Sequence, residues 1–461
     1  MAVTRVAFFT YSPYESALEL YRFLSPLKEA GIELVAGVEN GEIKLERIAE
    51  ADLVCFQRDF SRHFTAYQGV LREARVRGVP VVMDLDDDLL SLPPDHPDRL
   101  AGDFADSLPA LLHAVLNADA LSVTTPELKR KYEALNPHVI VLPNYLDTEF
   151  WQFRQPVLRM KDAPVNVLFM GTPTHIPDLN GIAEALRGTA MRFGENLRFV
   201  FFGAKPPEGL EDIARVEYYP AQSYDYHLFQ QQFCKLEADI AIAPLRDNPF
   251  NRCKSAIKFL EYSARGLPGV YAALPPYTCA VQDGENGFLA GDTQEWERKL
   301  GALIEDPQLC LRMAEQAQQD VCRGWLIQNH GQEWREAYDG IARRGPVSAE
   351  DRTSMAEELA AVAMQMDELR ELTHSRYSKL HEDLAAQHAE ILQHGERIEA
   401  LKSEVLTREV QIDALQNEIT QKKRRIEALL DETVRYTNSR SWKLTRPLRA
   451  FNRLLSRLLK R

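Results

Sequence analysis

The chain of 461 residues is poor in the features that mark secreted, membrane-spanning or metal-clustered proteins. Its six cysteines, Cys55, Cys234, Cys253, Cys279, Cys310 and Cys322, form no Cys-x-x-Cys pair, which excludes the common zinc and dithiol spacings. Several sit in apolar runs, as Cys55 does in LVCF, so buried free thiols in a reducing compartment are expected. No run of about 18 apolar residues occurs, which excludes a membrane-spanning helix. The opening MAVTRVAFFTYSP lacks the apolar stretch and small-residue cleavage site of a secretion signal and reads as a first strand. A cytoplasmic location is expected.

Acidic residues are absent from one place. Between Arg435 and Arg461 there are nine Lys/Arg and no Asp or Glu, although the whole chain carries a net charge of −13. A basic tail on an acidic body directs only the tail to an anionic surface, and nucleic acid is not an expected partner. The tail RPLRAFNRLLSRLLKR sets Leu448, Phe451, Leu454, Leu455, Leu458 and Leu459 on one helical face, with Arg446, Arg449, Arg453, Arg457, Lys460 and Arg461 around them. That pattern suits the inner, anionic face of a cytoplasmic membrane, with Trp442, Phe451, Leu455 and Arg453 as the principal anchors. Packing of the stripe on the protein body, or a disordered segment that aids solubility, is the competing reading.

Proline is absent from residues 348–437, and Gly395 is the one glycine there. Leu384, Ile391, Ile398, Val405, Ile412, Ile419 and Ile426 recur every seven positions, and Leu401, Leu415 and Leu429 fill alternate d positions. Such heptads predict a coiled-coil stalk that joins two or more copies of the chain. A single amphipathic helix packed on its own protein is the alternative.

What remains is rich in short apolar runs. Hydrophobic residues make up 45% of the chain and charged residues 27%, enough for sizeable cores. Residues 1–150 alternate RVAFFTY, IELVAGV, ADLVCFQ, VPVVMDL, ALSVTT and HVIVLPN with helical patterns. The alternation restarts at 163–345 with VNVLFMGT, LRFVFFG, ARVEYYP, ADIAIAP and LPGVYAA, after a linker with two prolines. The expected fold class is α/β: two tandem Rossmann-like domains with a cleft between them, followed by the stalk (348–437) and the tail (438–461). Ligands bind such sheets beyond the carboxyl ends of the strands.

The segment NRCKSAIKFLEYSARGLPGV, residues 251–270, follows a strand and opens a helix, where free amide N–H groups favour a diphosphate. Lys254, Ser255 and Lys258 add charge and donors, and Glu261 can accept from a ribose or sugar hydroxyl. This segment resembles the donor site of the group 1 glycosyltransferases (family 4, retaining, GT-B fold). Glu261 fits the second of that family's paired glutamates, with Gly266 and Pro268 following, while Cys253 stands at the first. It is more similar still to the N-x-x-K-S-x-x-K-x-L-E-Y form found in a subgroup acting on bacterial surface polysaccharides such as O-antigen, matching at Asn251, Lys254, Ser255, Lys258, Leu260, Glu261 and Tyr262. PPYTCAVQDGENGFLAGDTQEW, 275–296, resembles the loop and "G-x-N-G-x-L" turn after the donor helix. VLPNYLDTEFW resembles a "PNG-V-D" signature at Pro143, Asn144 and Asp147. After VNVLFM, Gly171 and Thr172 resemble a phosphate-facing turn, with His175 as a donor to that phosphate. FQRDF and YRFLSPL resemble segments that would place Arg58 and Arg22 on the acceptor side of the cleft. The final NSRSWKLTRPLRAF is similar to an "S-x-S-W-x-L-T-x-P-L-R" element of polysaccharide-assembly proteins.

The resemblance implies transfer of a sugar from a nucleotide-diphosphate donor to a lipid-linked or growing glycan. It implies no metal and no cofactor. In VPVVMDLDDDLL, Asp84, Asp86, Asp87 and Asp88 crowd a strand's carboxyl end, where mutual repulsion makes a purely structural role costly. The run is similar to a D-x-D-D of the same glycosyltransferase subgroup, and that resemblance implies that Asp84, Asp86 and Asp87 lie on the acceptor side of the cleft and act on the acceptor hydroxyl. The run also resembles the first motif of haloacid-dehalogenase-type phosphatases, which would use Asp84 and Asp86 with Mg²⁺, and it is open to a bland reading as turn and cap residues. A non-catalytic scaffold carried on the stalk is a third possibility.

Overall fold

The computed structural model describes residues 2–12, 16–102, 104, 106–160, 163–221, 225–348 and 355–459; Lys460 and Arg461 of the basic tail lie outside them. The chain divides into two compact units, Met1–Glu371 and Leu372–Arg461.

The first unit holds two six-stranded parallel sheets. In the N-terminal sheet β1 (Arg5–Phe9), β2 (Glu33–Ala36), β3 (Leu53–Gln57), β4 (Val81–Leu85), β5 (Ala120–Val123) and β6 (Val139–Val141) lie in the order β2-β1-β3-β4-β5-β6. In the second sheet β7 (Val165–Gly171), β8 (Leu197–Gly203), β9 (Arg215–Tyr219), β10 (Ile240–Ala243), β11 (Gly269–Ala272) and β12 (Phe288–Ala290) run β9-β8-β7-β10-β11-β12. Strands β3, β4, β10 and β11 are buried at every residue, which explains why they read as continuous apolar runs rather than as alternations. The α/β architecture expected from the sequence, two parallel sheets in tandem, is what the chain adopts. Strand β12 is an addition: its three residues lie inside the segment read as a turn, bounded by Gly287 and Gly291.

The two domains complete each other. The helix Gly331–Arg344 lies in the segment assigned to the second domain, yet it crosses back to the first. Trp334, Tyr338 and Ile341 share one core with Phe8, Phe23 and Leu27, and Arg335 donates to the carbonyls of Ala30 and Gly31. Conversely, Phe250 and Cys253 of the second domain enter the N-terminal core, while Leu20 and Tyr21 enter the second. The start of the helix Met355–Asn438 also belongs here. Ala363 is buried in the N-terminal core, and Asp367 accepts from the Thr65 amide at 3.1 Å, capping the helix Phe64–Arg77, whose own N-cap residue makes no side-chain cap bond.

The second unit is the rest of that 84-residue helix, then the helices Arg440–Leu444 and Arg446–Leu458. The heptad residues Ile391, Ile398, Val405, Ile412, Ile419 and Ile426 are all more than half exposed. At the tail, Ser439 caps the Trp442 amide and the Arg449 guanidinium lies 3.5 Å from the centre of the Trp442 ring, so the S-x-S-W-x-L-T-x-P-L-R element is a locally folded corner. Phe451, Leu454 and Leu455 are exposed. Among the described residues no helix is long and apolar enough to cross a membrane.

Candidate functional site

Strand order reverses between β1 and β3 in the first sheet and between β7 and β10 in the second. Those reversals open crevices at the carboxyl ends of the strands. Between them lies a cleft of about 660 Å³, including its open mouth, lined by Tyr21, Arg22, Asp86, Asp87 and Asn144 from one side and His175, Lys254, Ser255, Lys258, Glu261 and Tyr277 from the other.

On the N-terminal side, each aspartate of the DLDDD run has a cation beside it, which is how the structure relieves the crowding. Asp84 is held by the Arg22 guanidinium through Nε and Nη2 at 2.9–3.2 Å and by the Ser122 hydroxyl at 2.6 Å. Asp86 pairs with Arg58 at 2.9 Å, and Asp87 lies between Arg58 (3.7 Å) and Lys254 (3.4 Å). Asp88 is buried against Lys131 and accepts from Tyr132. Asp86 and Asp87 thus share Arg58, while Asp84 and Asp88 turn to cations of their own. Among the described residues no group of three His, Cys, Asp or Glu side chains gathers as a metal would require. Asp84 is 3% exposed with both oxygens engaged, which leaves no nucleophile for the phosphatase reading.

Arg22 itself is fully buried. It also donates to Leu142 O and Asn144 Oδ1, and it stacks 5.1 Å from the Trp334 ring. Its direction comes from a π-helical turn, Leu20–Leu24, in which the Ser25 amide reaches back to Leu20. Pro26 has no N–H to continue the ordinary ladder at this point. The widened turn sends Arg22 into the first domain and Tyr21 into the second. Burial pushes the Asp86 carboxyl up to about 6, opposed by Arg58 and assisted by Asp87. Asp87 goes the other way despite its burial, because Lys254 and Arg58 hold it below the ordinary carboxylate range.

On the second side the chemistry sits after β7 and β10. Strand β7 ends at Gly171, and the neighbouring Gly203 has φ +90°, with its absent Cβ only 2.2 Å from Gly171 O; no other residue fits there. The chain then turns through the exposed Thr172 to the buried His175. Lys258 Nζ lies 2.8 Å from His175 Nε2, and His175 Nδ1 lies 2.9 Å from Asp178 Oδ2. Asp178 Oδ1 in turn accepts from Asn251 Nδ2 at 2.8 Å and from the Arg246 amide at 2.9 Å. Burial, reinforced by Lys254, lowers Lys258 to about 8. Burial and the charge of Lys258 lower His175 to about 4, so it is neutral. Both ring nitrogens of His175 are thus engaged, and it holds Lys258 instead of donating to a phosphate itself.

Glu261 faces an aromatic wall. Tyr226 and Tyr21 donate to its Oε1, the two hydroxyls lie 2.9 Å apart, and Trp151 Nε1 donates to the Tyr21 oxygen at 2.8 Å. Burial raises the Glu261 carboxyl to about 7, against the hydrogen bond from Tyr226 and the charge of Lys258.

The cleft is tied from both sides. Asn144 gives its Oδ1 to Arg22 and donates Nδ2 to Ser255 at 3.1 Å, making one line from Asp84 through Arg22 and Asn144 to Ser255. Thr125 donates to Cys253 O at 2.9 Å, Arg246 forms a two-pronged pair with Asp95, and the His96 ring meets Phe250 edge-on. Cys253 is buried and its thiol is pushed up to about 12 by burial. It serves as an apolar plug between the domains.

The structure brings Asp86, Asp87, Arg58, Lys254, Ser255, Lys258 and Glu261 around one cleft and withdraws Asp84 and Arg22 into a buried pair at its wall. Tyr226 carries no sequence signal for this site, while Tyr21 and Trp151 lie inside the matched YRFLSPL and VLPNYLDTEFW segments without a role of their own there. Asn144 belongs to a matched signature without a task until its two hydrogen bonds are seen, and Asp178 is marked only by its three-residue spacing from His175. Among known proteins, no family model and no curated protein matches the chain. Among solved structures, it is similar to HepE from Anabaena, determined with UDP and glucose (16% identity, 73% of this chain and 100% of that one, TM-score 0.47). It is also similar to sucrose-phosphate synthase from Thermosynechococcus elongatus (14%, 73% and 100%, 0.49) and a glycosyltransferase from Rickettsia africae (11%, 74% and 98%, 0.49).

Proposed function

We propose that this protein is a glycosyltransferase that moves a sugar from a nucleotide-diphosphate donor to a hydroxyl of a lipid-linked or growing surface glycan of the O-antigen or capsule type. The observation that carries the reading is the pairing of two lysines and a glutamate at one strand-order reversal with two aspartates at the facing one. Lys254 and Lys258 meet the diphosphate, with the Gly171–Thr172 turn beside it, and Glu261 takes a ribose hydroxyl. Asp86, a carboxylate at neutral pH, orients the acceptor hydroxyl beside Asp87 and Arg58. The acceptor oxygen forms its bond to the anomeric carbon as the bond from that carbon to the diphosphate breaks. The hydroxyl proton leaves to a carboxylate or to the departing phosphate. In this reading Asp84 and Arg22 position the wall of the cleft. Transfer is retaining, as the family likeness implies, and lysine charge supports the leaving group without a metal or cofactor.

The heptad seam is an exposed apolar stripe, which supports pairing with further copies of the same chain. The exposed arginine-flanked stripe supports docking of the tail on an anionic inner membrane surface. Cys253 in place of the family's first glutamate, buried as a plug, favours a second reading: a non-catalytic scaffold for polysaccharide assembly.

Thermal stabilisation of the full chain by UDP, GDP, ADP, CDP and dTDP and their sugars, with and without Mg²⁺, tests both. One nucleotide is expected to raise Tm without Mg²⁺, and Lys258→Ala and Glu261→Ala to abolish the rise. No rise with any of them from folded protein turns the reading to the scaffold.

A further inference from the structure

We infer that Asp178 and Asn251 are positioning residues that fix the tautomer of His175, so that its bare Nε2 orients the Lys258 ammonium at the cleft. This rests on the reading of Lys258 as the diphosphate-facing lysine.

Hydrogen-bond direction places the proton on the ring. An ammonium donates and cannot accept, so at 2.8 Å from Lys258 Nζ the Nε2 atom must offer its lone pair. A neutral imidazole then carries its proton on Nδ1, which donates to Asp178 Oδ2 at 2.9 Å. The other oxygen, Oδ1, is already fixed by two donors, the Arg246 amide and Asn251 Nδ2. Asn251 is held in turn by Nδ2 on Arg246 O (2.9 Å) and by its amide on Asn248 Oδ1 (2.8 Å). No member can reverse without breaking the next. His175, Asp178 and Asn251 are buried, so water does not replace a lost partner.

The arrangement has a consequence for charge. A carboxylate directly on Lys258 would neutralise it. The interposed neutral ring aligns the ammonium and keeps the carboxylate one residue away, leaving the positive charge for an anion in the cleft. This gives the first asparagine of the N-x-x-K-S-x-x-K pattern a physical reason: seven residues before the second lysine, it locks the acceptor that the lysine uses.

Asp178→Asn tests the lock. The oxygen of the introduced amide must still accept from Arg246 and Asn251, so its NH₂ group faces Nδ1 and forces the His175 proton onto Nε2, against the ammonium. The full chain labelled with ¹⁵N-histidine is examined near pH 7.5, with His175 assigned by its loss in His175→Gln. Binding of inorganic pyrophosphate is measured on the same samples. The wild type is expected to show Nδ1–H with bare Nε2, and Asp178→Asn to show Nε2–H with affinity at least about tenfold weaker, the loss of one charge-assisted hydrogen bond. In His175→Gln the amide oxygen can face Lys258 and the NH₂ group Asp178, so affinity within a few-fold of wild type is expected. Nε2–H in the wild type, or an unchanged tautomer in a folded Asp178→Asn protein, overturns the inference. The expected tautomers with no pyrophosphate binding by any form refute the diphosphate reading and leave the lock standing.

Discussion

The two shifted groups facing the cleft predict a narrow window of donor binding. Glu261 is pushed up to about 7, chiefly by burial, and accepts from ribose as a carboxylate. Lys258 is lowered to about 8, by burial and then by Lys254, and meets phosphate as a cation. The groups that face Lys258 are the neutral His175 at 2.8 Å, Lys254, which lowers it, and Asp178, Glu261 and Asp87, which raise it. Binding should therefore rise with pH through about 7 as Glu261 ionises and fall through about 8 as Lys258 loses its proton. If only the doubly charged pair binds, about 60% of the protein is competent near pH 7.5 and about 3% at pH 5.5 or 9.5, so affinity drops about 20-fold at either end. Calorimetry with the donor that emerges from the nucleotide-sugar panel measures this cleanly, because a sugar-capped diphosphate does not itself titrate in that range. Lys258→Arg should flatten the alkaline limb alone and Glu261→Gln the acid limb alone. An alkaline limb that persists in Lys258→Arg refutes the assignment of that limb to Lys258.

Four further outcomes follow from named contacts. Arg22→Met strands the Asp84 carboxylate in the core; losing one partner of such a pair costs about 3–5 kcal/mol, and Arg22→Met with Asp84→Asn should recover part of it, as urea unfolding would show. Asp367→Ala removes the cap on the helix Phe64–Arg77 and should cost about 0.5–2 kcal/mol, visible as faster amide exchange in that helix's first turn. Ile398→Lys with Ile412→Lys should reduce the molar mass in light scattering to that of a single chain without lowering donor binding; unchanged mass would sink the coiled-coil proposal. Phe451→Ser with Arg453→Glu should abolish flotation with vesicles containing anionic lipid, whereas wild-type protein should float with them and remain free of neutral ones.

Periodicity and short-range pattern were enough for some of this architecture. Apolar runs such as LVCFQ and VVMDL are strands because parallel strands buried on both faces need an unbroken hydrophobic sequence, and the heptads from Leu384 to Ile426 are one helix because nothing in them stops a helix. The lysines and glutamate of residues 254–261 were legible because loop and helix place neighbours in sequence near one another in space. Tertiary structure alone decided the rest. It set which of the four carboxylates line the cleft, since Arg22, Arg58, Lys254 and Lys131 arrive from segments far from the DLDDD run. It made His175 an acceptor for Lys258, because the direction of a hydrogen bond depends on both partners and on what holds the second nitrogen. It also carried Gly331–Arg344 back across the first domain, because where a helix buries its apolar face depends on which sheet has a face uncovered, and no local pattern records that.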